Sequence, residues 1–228
     1  MNKREFKDNV YSELAKVTKA IGNPRRMEII DLLAQGPFSV EKIAEQTGIS
    51  IANASQHLQV LKGARLVEID RRGNFIYYHL SNEKVFHAWR SLRELGFTQN
   101  AEVEKLIQDF CHSRHQLEPV SMEALLKKLE NQDVLVIDVR SGEEFDRGHI
   151  HRAISIPVEE LASKLEGLSK EMEIIAYCRG PLCVYADEAV SLLRENGFKA
   201  NRLKEGFPDW VAMGFPAEVN GAKTTEDL

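Results

Sequence analysis

Thr47-Gly48-Ile49-Ser50-Ile51-Ala52-Asn53-Ala54-Ser55-Gln56-His57-Leu58-Gln59-Val60-Leu61-Lys62 contains a glycine turn, a serine cap and then a helical repeat that sets Ala54, Leu58 and Leu61 on one face. Ser50 is placed to cap the helix, which runs to Lys62. Upstream, Ser39 caps a shorter helix to about Gln46, and Gly48 turns the chain between the two, which is a helix-turn-helix pattern. The side away from the apolar stripe carries small polar groups suited to a major groove. Asn53, Gln56 and Gln59 can each meet an adenine edge with two hydrogen bonds, Ser55 permits close approach, and Ser50 and His57 complete the candidate contacts.

The flanks extend this reading. Apolar residues recur at helical spacing from Phe6 to Ile21, and Asn23-Pro24 starts a second helix, Arg25 to Ala34. After the helix-turn-helix, Leu66 to Asp70 and Phe75 to Leu80 read as strands joined by Arg71-Arg72-Gly73-Asn74. This hairpin is a wing, and Lys62, Arg71 and Arg72 are the cations that reach phosphates beside the groove. Glu83 to Leu95 and Glu102 to Phe110 return to helical periodicity. The net charge of -5 is unevenly spread: residues 1–100 carry 15 basic and 11 acidic side chains, and residues 101–228 carry 15 and 24. A double-stranded DNA partner therefore belongs to the first half.

Beyond the polar stretch His112 to Gln116 and Leu117-Glu118-Pro119 the rhythm changes, so 1–112 is one domain, 113–119 a linker, 120–219 a second domain and 220–228 a flexible tail without apolar content. In the second domain strands at Val134 to Ile137, Ala153 to Ile156, Glu173 to Tyr177 and Lys199 to Leu203 alternate with helices from Met122, at Gly142 to Arg147, at Glu159 to Leu168, and between Cys183 and Asn196-Gly197. Alternation of this kind implies an α/β fold with a parallel sheet covered on both faces, beside an α-rich winged-helix first domain. Cys178 sits at the carboxyl end of a strand, where α/β sheets bind ligands. The loop Cys178-Arg179-Gly180-Pro181-Leu182-Cys183 feeds a helix N-terminus, whose inward N–H groups lower a thiol pKa and hold an anion. Cys178 is thus the candidate nucleophile, and Arg179 either attracts an anion or faces solvent.

Residues 1 to about 110 resemble the ArsR family of winged-helix repressors, in Gly22-Asn23-Pro24-Arg25-Arg26-Met27-Glu28-Ile29 and in Ala54 through Leu61. The resemblance implies a homodimer through the first and last helices of this region, binding a partly palindromic operator and releasing it on a signal. Ile51 stands where relatives commonly carry a polar residue, which shifts base readout to Asn53, Ser55 and Gln56. The metal-sensing cysteines of many relatives have no counterpart in Ser39 to Glu45, and Cys111-His112-Ser113-Arg114-His115 has one thiol, so no metal and no cofactor are expected.

Val134 to Ala217 resembles the rhodanese homology domain, through Val136-Ile137-Asp138-Val139-Arg140, Glu143-Glu144-Phe145, Gly148-His149-Ile150, the Cys178 loop and Glu205 through Trp210. It implies sulfur transfer through a Cys178 persulfide loaded from thiosulfate, polysulfide or a persulfide, and a six-residue loop is the sulfur-transferring length. On that resemblance Cys183 either resolves the Cys178 persulfide into a disulfide, releasing sulfide, or packs at the start of the next helix. Asp138, Arg140 and Glu143 then brace the loop. Pro181 has no N–H to give, and Leu182 replaces a polar residue, which disfavours thiosulfate. Three cysteines and the absence of a long apolar run or leader pattern suit a soluble cytoplasmic chain without membrane contact. Three functions stay open: a regulator whose DNA affinity follows sulfur loading, a sulfurtransferase located on DNA without coupling, and a regulator with a catalytically idle rhodanese module.

Overall fold

The computed structural model describes residues 1–73, 75–112 and 119–219, with the side chains of Gln108, Phe110, Cys111 and His112 outside the description. Most of the expected linker, the tail, Asn74 and the side chains of the Cys111 to His115 cluster lie outside the described residues. The chain divides into two compact units, Met1–Arg93 and Glu94–Leu228.

In the first unit, α1 (Lys3–Ile21) starts at an Asn2 capping box closed by Glu5, and α2 (Pro24–Leu33) at Asn23, whose side chain accepts from the Arg25 and Arg26 amides. β1 (Phe38–Ser39) leads into α3 (Val40–Thr47), capped by Ser39 and ended by Gly48 at φ +62°, a left-handed position that glycine adopts without strain. α4 (Ile51–Gly63) follows the Ser50 cap. β2 (Val67–Arg72) and β3 (Phe75–Leu80) pair antiparallel with Arg72 opposite Phe75, so Arg71 and Arg72 stand on the strand and not in the connection. β1 adds to the other edge of β3. α5 (Glu83–Gln99) is tied to α2 by the Trp89 indole and Arg93 guanidinium, which donate to Asp31 at 2.8 and 3.4 Å. Ile29, Ile30, Ile43, Ala54, Leu58 and Leu61 form the floor of the core.

The second unit begins within α5 and includes α6 (Ala101–His112) and α7 (Met122–Asn131). Then follow β4 (Val134–Asp138), α8 (Gly142–Arg147), β5 (His149–Ile150), β6 (Ile154–Ser155), α9 (Val158–Lys164) with a 3-10 turn at Leu165–Gly167, and β7 (Glu173–Tyr177). α10 (Tyr185–Glu195), β8 (Ala200–Arg202), α11 (Phe207–Ala212) and β9 (Ala217–Glu218) complete it. Parallel strands in the order β6-β4-β7-β8 form the sheet, with one apolar core on each face. Its two middle strands are buried on both sides, which is why they read as unbroken apolar runs. β5 and β9 make a separate antiparallel pair.

Candidate DNA-reading face and sulfur loop

On α4, Ala54, Leu58 and Leu61 are buried, while Asn53, Gln56, Gln59 and Lys62 are exposed and Ser55 and His57 sit half-buried at its shoulders. The Ser50 hydroxyl accepts the Asn53 amide at 3.2 Å, so it holds the helix start and is itself exposed. Ile51 and Val60 add exposed apolar surface. Arg71 and Arg72 are exposed on β2; Arg72 lies 3.8 Å from Asp70 and over the Tyr77 ring. Amide, hydroxyl and cationic groups thus share one helix-turn-helix and hairpin, an arrangement able to meet base edges and phosphates.

In the second unit, Cys178 closes β7 and is joined by a disulfide to Cys183, with Cα atoms 6.3 Å apart. Cys178 is 2% exposed and belongs to the core. Between them the Cys183 amide donates to the Gly180 carbonyl at 3.0 Å, a tight turn, and α10 starts two residues later. In this closed loop that amide is spent on the turn. Arg179 neither faces solvent freely nor stands open to an anion: its Nε and a terminal nitrogen donate to Glu144 at 2.7 and 2.8 Å. Burial pushes the Glu144 carboxyl up, but the Arg179 hydrogen bonds and charge outweigh it, so its pKa is lowered.

The floor beneath the loop is a buried polar network. Arg140 and Asp138 pair at 2.6 Å with both side chains inaccessible, and Arg140 also donates to the Gly148 carbonyl at 2.7 Å. Burial opposes the Arg140 charge, yet Asp138 raises its pKa above the ordinary value. The Tyr177 hydroxyl donates to Asp138 and accepts the Ile150 amide at 3.1 Å. Arg140 stacks over the Phe207 ring, and the Phe207 amide donates to the Cys178 carbonyl at 3.2 Å, so the network reaches the strand end that carries Cys178. A Cβ at Gly206 would overlap the Arg179 carbonyl and the Gly180 amide, which is why glycine is needed at this close approach.

Asp138 and Arg140 form the buried pair beneath the loop, and the loop residues Arg179, Gly180, Pro181 and Leu182 lie between the cysteines. Glu143 is a correction: its carboxylate is 81% exposed and lies 3.4 Å from Arg147, while its neighbour Glu144 turns inward. The reason is the capping box at Ser141, which draws the third helical residue, Glu144, back toward the cap. Ser141-x-x-Glu144 was the legible signal. Tyr177, Gly206 and Phe207 also position the loop, and sequence reasoning gave them no role. Among the described residues no group of three or more His, Cys, Asp or Glu could hold a metal ion, and no helix is long and apolar enough to cross a membrane.

Comparisons agree with this division. The family model described as bacterial regulatory protein, arsR family, matches residues 23–68, and the rhodanese-like domain model matches residues 121–213. The HTH-type transcriptional regulator Rv0324 of Mycobacterium tuberculosis is 38% identical over 209 residues, covering 92% of either chain. A sulfurtransferase of Allochromatium vinosum is 26% identical over 99 residues, 42% of this chain and 91% of its own. The homodimeric winged helix-turn-helix DNA-binding domain from Mycobacterium bovis, solved by NMR, is 37% identical with a TM-score of 0.41, covering 44% of this chain and 91% of that one.

Proposed function

Because this chain belongs to the HTH-type transcriptional regulators that join an ArsR-family helix-turn-helix to a rhodanese-like domain, we propose that it represses from an operator bound as a homodimer, and that the Cys178–Cys183 loop reports sulfane sulfur to it. The observation that carries the sensing reading is the disulfide closing a loop at a strand end. A chain with so few cysteines suits the reducing cytoplasm, where a disulfide is transient and serves catalysis or sensing more often than architecture.

The chemistry is as follows. With the loop reduced, the Cys178 thiolate takes the outer sulfur of a persulfide R–S–SH, and RS⁻ leaves. The Cys183 thiolate then attacks the Cys178 Sγ, forming the disulfide and expelling HS⁻, so that two thiols are oxidised and one sulfane sulfur is reduced to sulfide. For assembly, α1 leaves Phe6, Val10, Leu14 and Val17 exposed at helical spacing, and α5 leaves Leu92 and Leu95 exposed, an apolar surface that a second copy would cover.

The test is the affinity of the full-length protein for DNA from its own upstream region, at fixed salt, with the loop reduced or treated with a persulfide donor. The wild type is expected to change affinity on treatment and Cys178→Ser to stay constant. A wild type that turns over sulfur while its DNA affinity stays fixed would instead favour a tethered sulfurtransferase.

A further inference from the structure

The two sulfurs of the loop differ in access. Cys178 is sealed in the core, whereas half-buried Cys183 lines a cleft of about 330 Å³. Its other walls are Leu106 and Ile107 of α6, then Pro181, Leu182, Val184 and Asp187. Asp187 is the one ionisable residue of the wall among the described residues, and Arg202 donates to it at 2.9 Å. The cation nearest in sequence, Arg179, is turned onto Glu144. Among the described residues the cleft thus offers a reacting molecule apolar walls and one reachable sulfur, with no wall cation to hold an anion.

We propose that this cleft admits an uncharged low-molecular-mass thiol with an apolar group, and that this thiol reopens the disulfide by attacking Cys183. The inference rests on the redox reading of the loop given above. Thiol–disulfide exchange depends on which sulfur the entering thiolate can reach. In the first step RS⁻ bonds to the Cys183 Sγ, the Cys178–Cys183 bond breaks, and its electron pair leaves on Cys178 as thiolate. A second RS⁻ then attacks the R-bound sulfur of the mixed disulfide, giving RSSR and the Cys183 thiolate. Two thiols are oxidised and the loop disulfide is reduced, and the thiol protons end on the cysteines or in solvent. Cys183 is then the exchange sulfur of the closed loop, although Cys178 is the nucleophile of the open one.

The oxidised full-length protein is treated with butanethiol, 2-mercaptoethanol or 2-mercaptoethanesulfonate, each rate being taken per thiolate. Reactions are quenched in acid, free thiols are blocked with N-ethylmaleimide, and peptides are read by mass spectrometry. The expected result is the butanethiol adduct on Cys183 with Cys178 blocked, and reopening about tenfold faster than by the sulfonate, the gain from burying about two methylenes. In Leu106→Glu that preference shrinks. Release of pyridine-2-thione from neutral 2,2′-dithiodipyridine gives a check on folded, reduced single-cysteine variants built on Cys111→Ser: Cys183 left by Cys178→Ser reacts faster than Cys178 left by Cys183→Ser. Adducts on Cys178, or equal rates for the three thiols, overturn the proposal. DNA affinity measured on the same samples reports the redox reading separately, because it responds to the loop state whichever thiol set it.

Discussion

Glu144 and Arg179 decide what the loop attracts. Their bidentate pair holds the one cation of the six-residue loop on a buried carboxylate, so Glu144→Gln removes the negative charge that these two hydrogen bonds set against Arg179 beside Cys178. In that variant the reduced loop is expected to react faster with anionic tetrathionate, with little change toward a neutral disulfide; equal acceleration of both would show that loop loosening, not charge, is responsible. The same pair sets a pH dependence. Because the folded Glu144 pKa lies below its ordinary 4.5, the pair stabilises fully above that value and the contribution is lost as pH falls through the lower, folded value. Urea midpoints between pH 6 and 3 should therefore fall less steeply in Glu144→Gln, which is already weaker by about 1–3 kcal/mol at pH 6 through the lost charged hydrogen bonds.

At the scale of elements, the proposed function gives α4 and the β2–β3 hairpin different shares in binding DNA. Gln56 and Gln59 point away from the buried face of α4, so replacing either by alanine is expected to cost about 1–3 kcal/mol of discrimination at one base position. Arg71→Ala should weaken binding to all sequences alike and flatten the salt dependence by about one phosphate contact. Competition binding across operator variants and a salt titration separate the two. These elements were legible because each carries a periodic or capping signal several residues long: Ala54, Leu58 and Leu61 are the buried face in sequence and in structure. β1, β5 and β9 were not, since two residues show no alternation and each strand exists only through a partner distant in the chain. The same holds at the loop. Asp138 and Arg140 are near in sequence and could be grouped by motif, whereas Gly206 reaches Arg179 only when β8 brings α11 across the sheet end. Gly206→Ala should lower thermal stability by about 1–3 kcal/mol, the usual cost of overpacking, and loosen the loop.

At the scale of the whole molecule, assembly comes first. Leu14 is 56% exposed in the middle of the α1 apolar stripe, so Leu14→Arg should leave the helix content unchanged while light scattering moves from a dimeric to a monomeric mass and operator affinity drops. Coupling between the loop and DNA then obeys a thermodynamic constraint that does not depend on its route. If closing the disulfide changes operator affinity by some factor, binding operator must change the disulfide equilibrium by the same factor. For a two-electron couple each tenfold change per disulfide corresponds to about 30 mV. The midpoint potential of Cys178–Cys183, measured in a thiol redox buffer with and without saturating operator, should therefore shift upward by that amount if the reduced protein binds DNA more tightly, and downward if the oxidised protein does. Equality of this shift with the affinity ratio would establish that the rhodanese-like loop and the winged helix act as one switch. A potential indifferent to operator would leave the loop as sulfur chemistry carried on a DNA-binding chain.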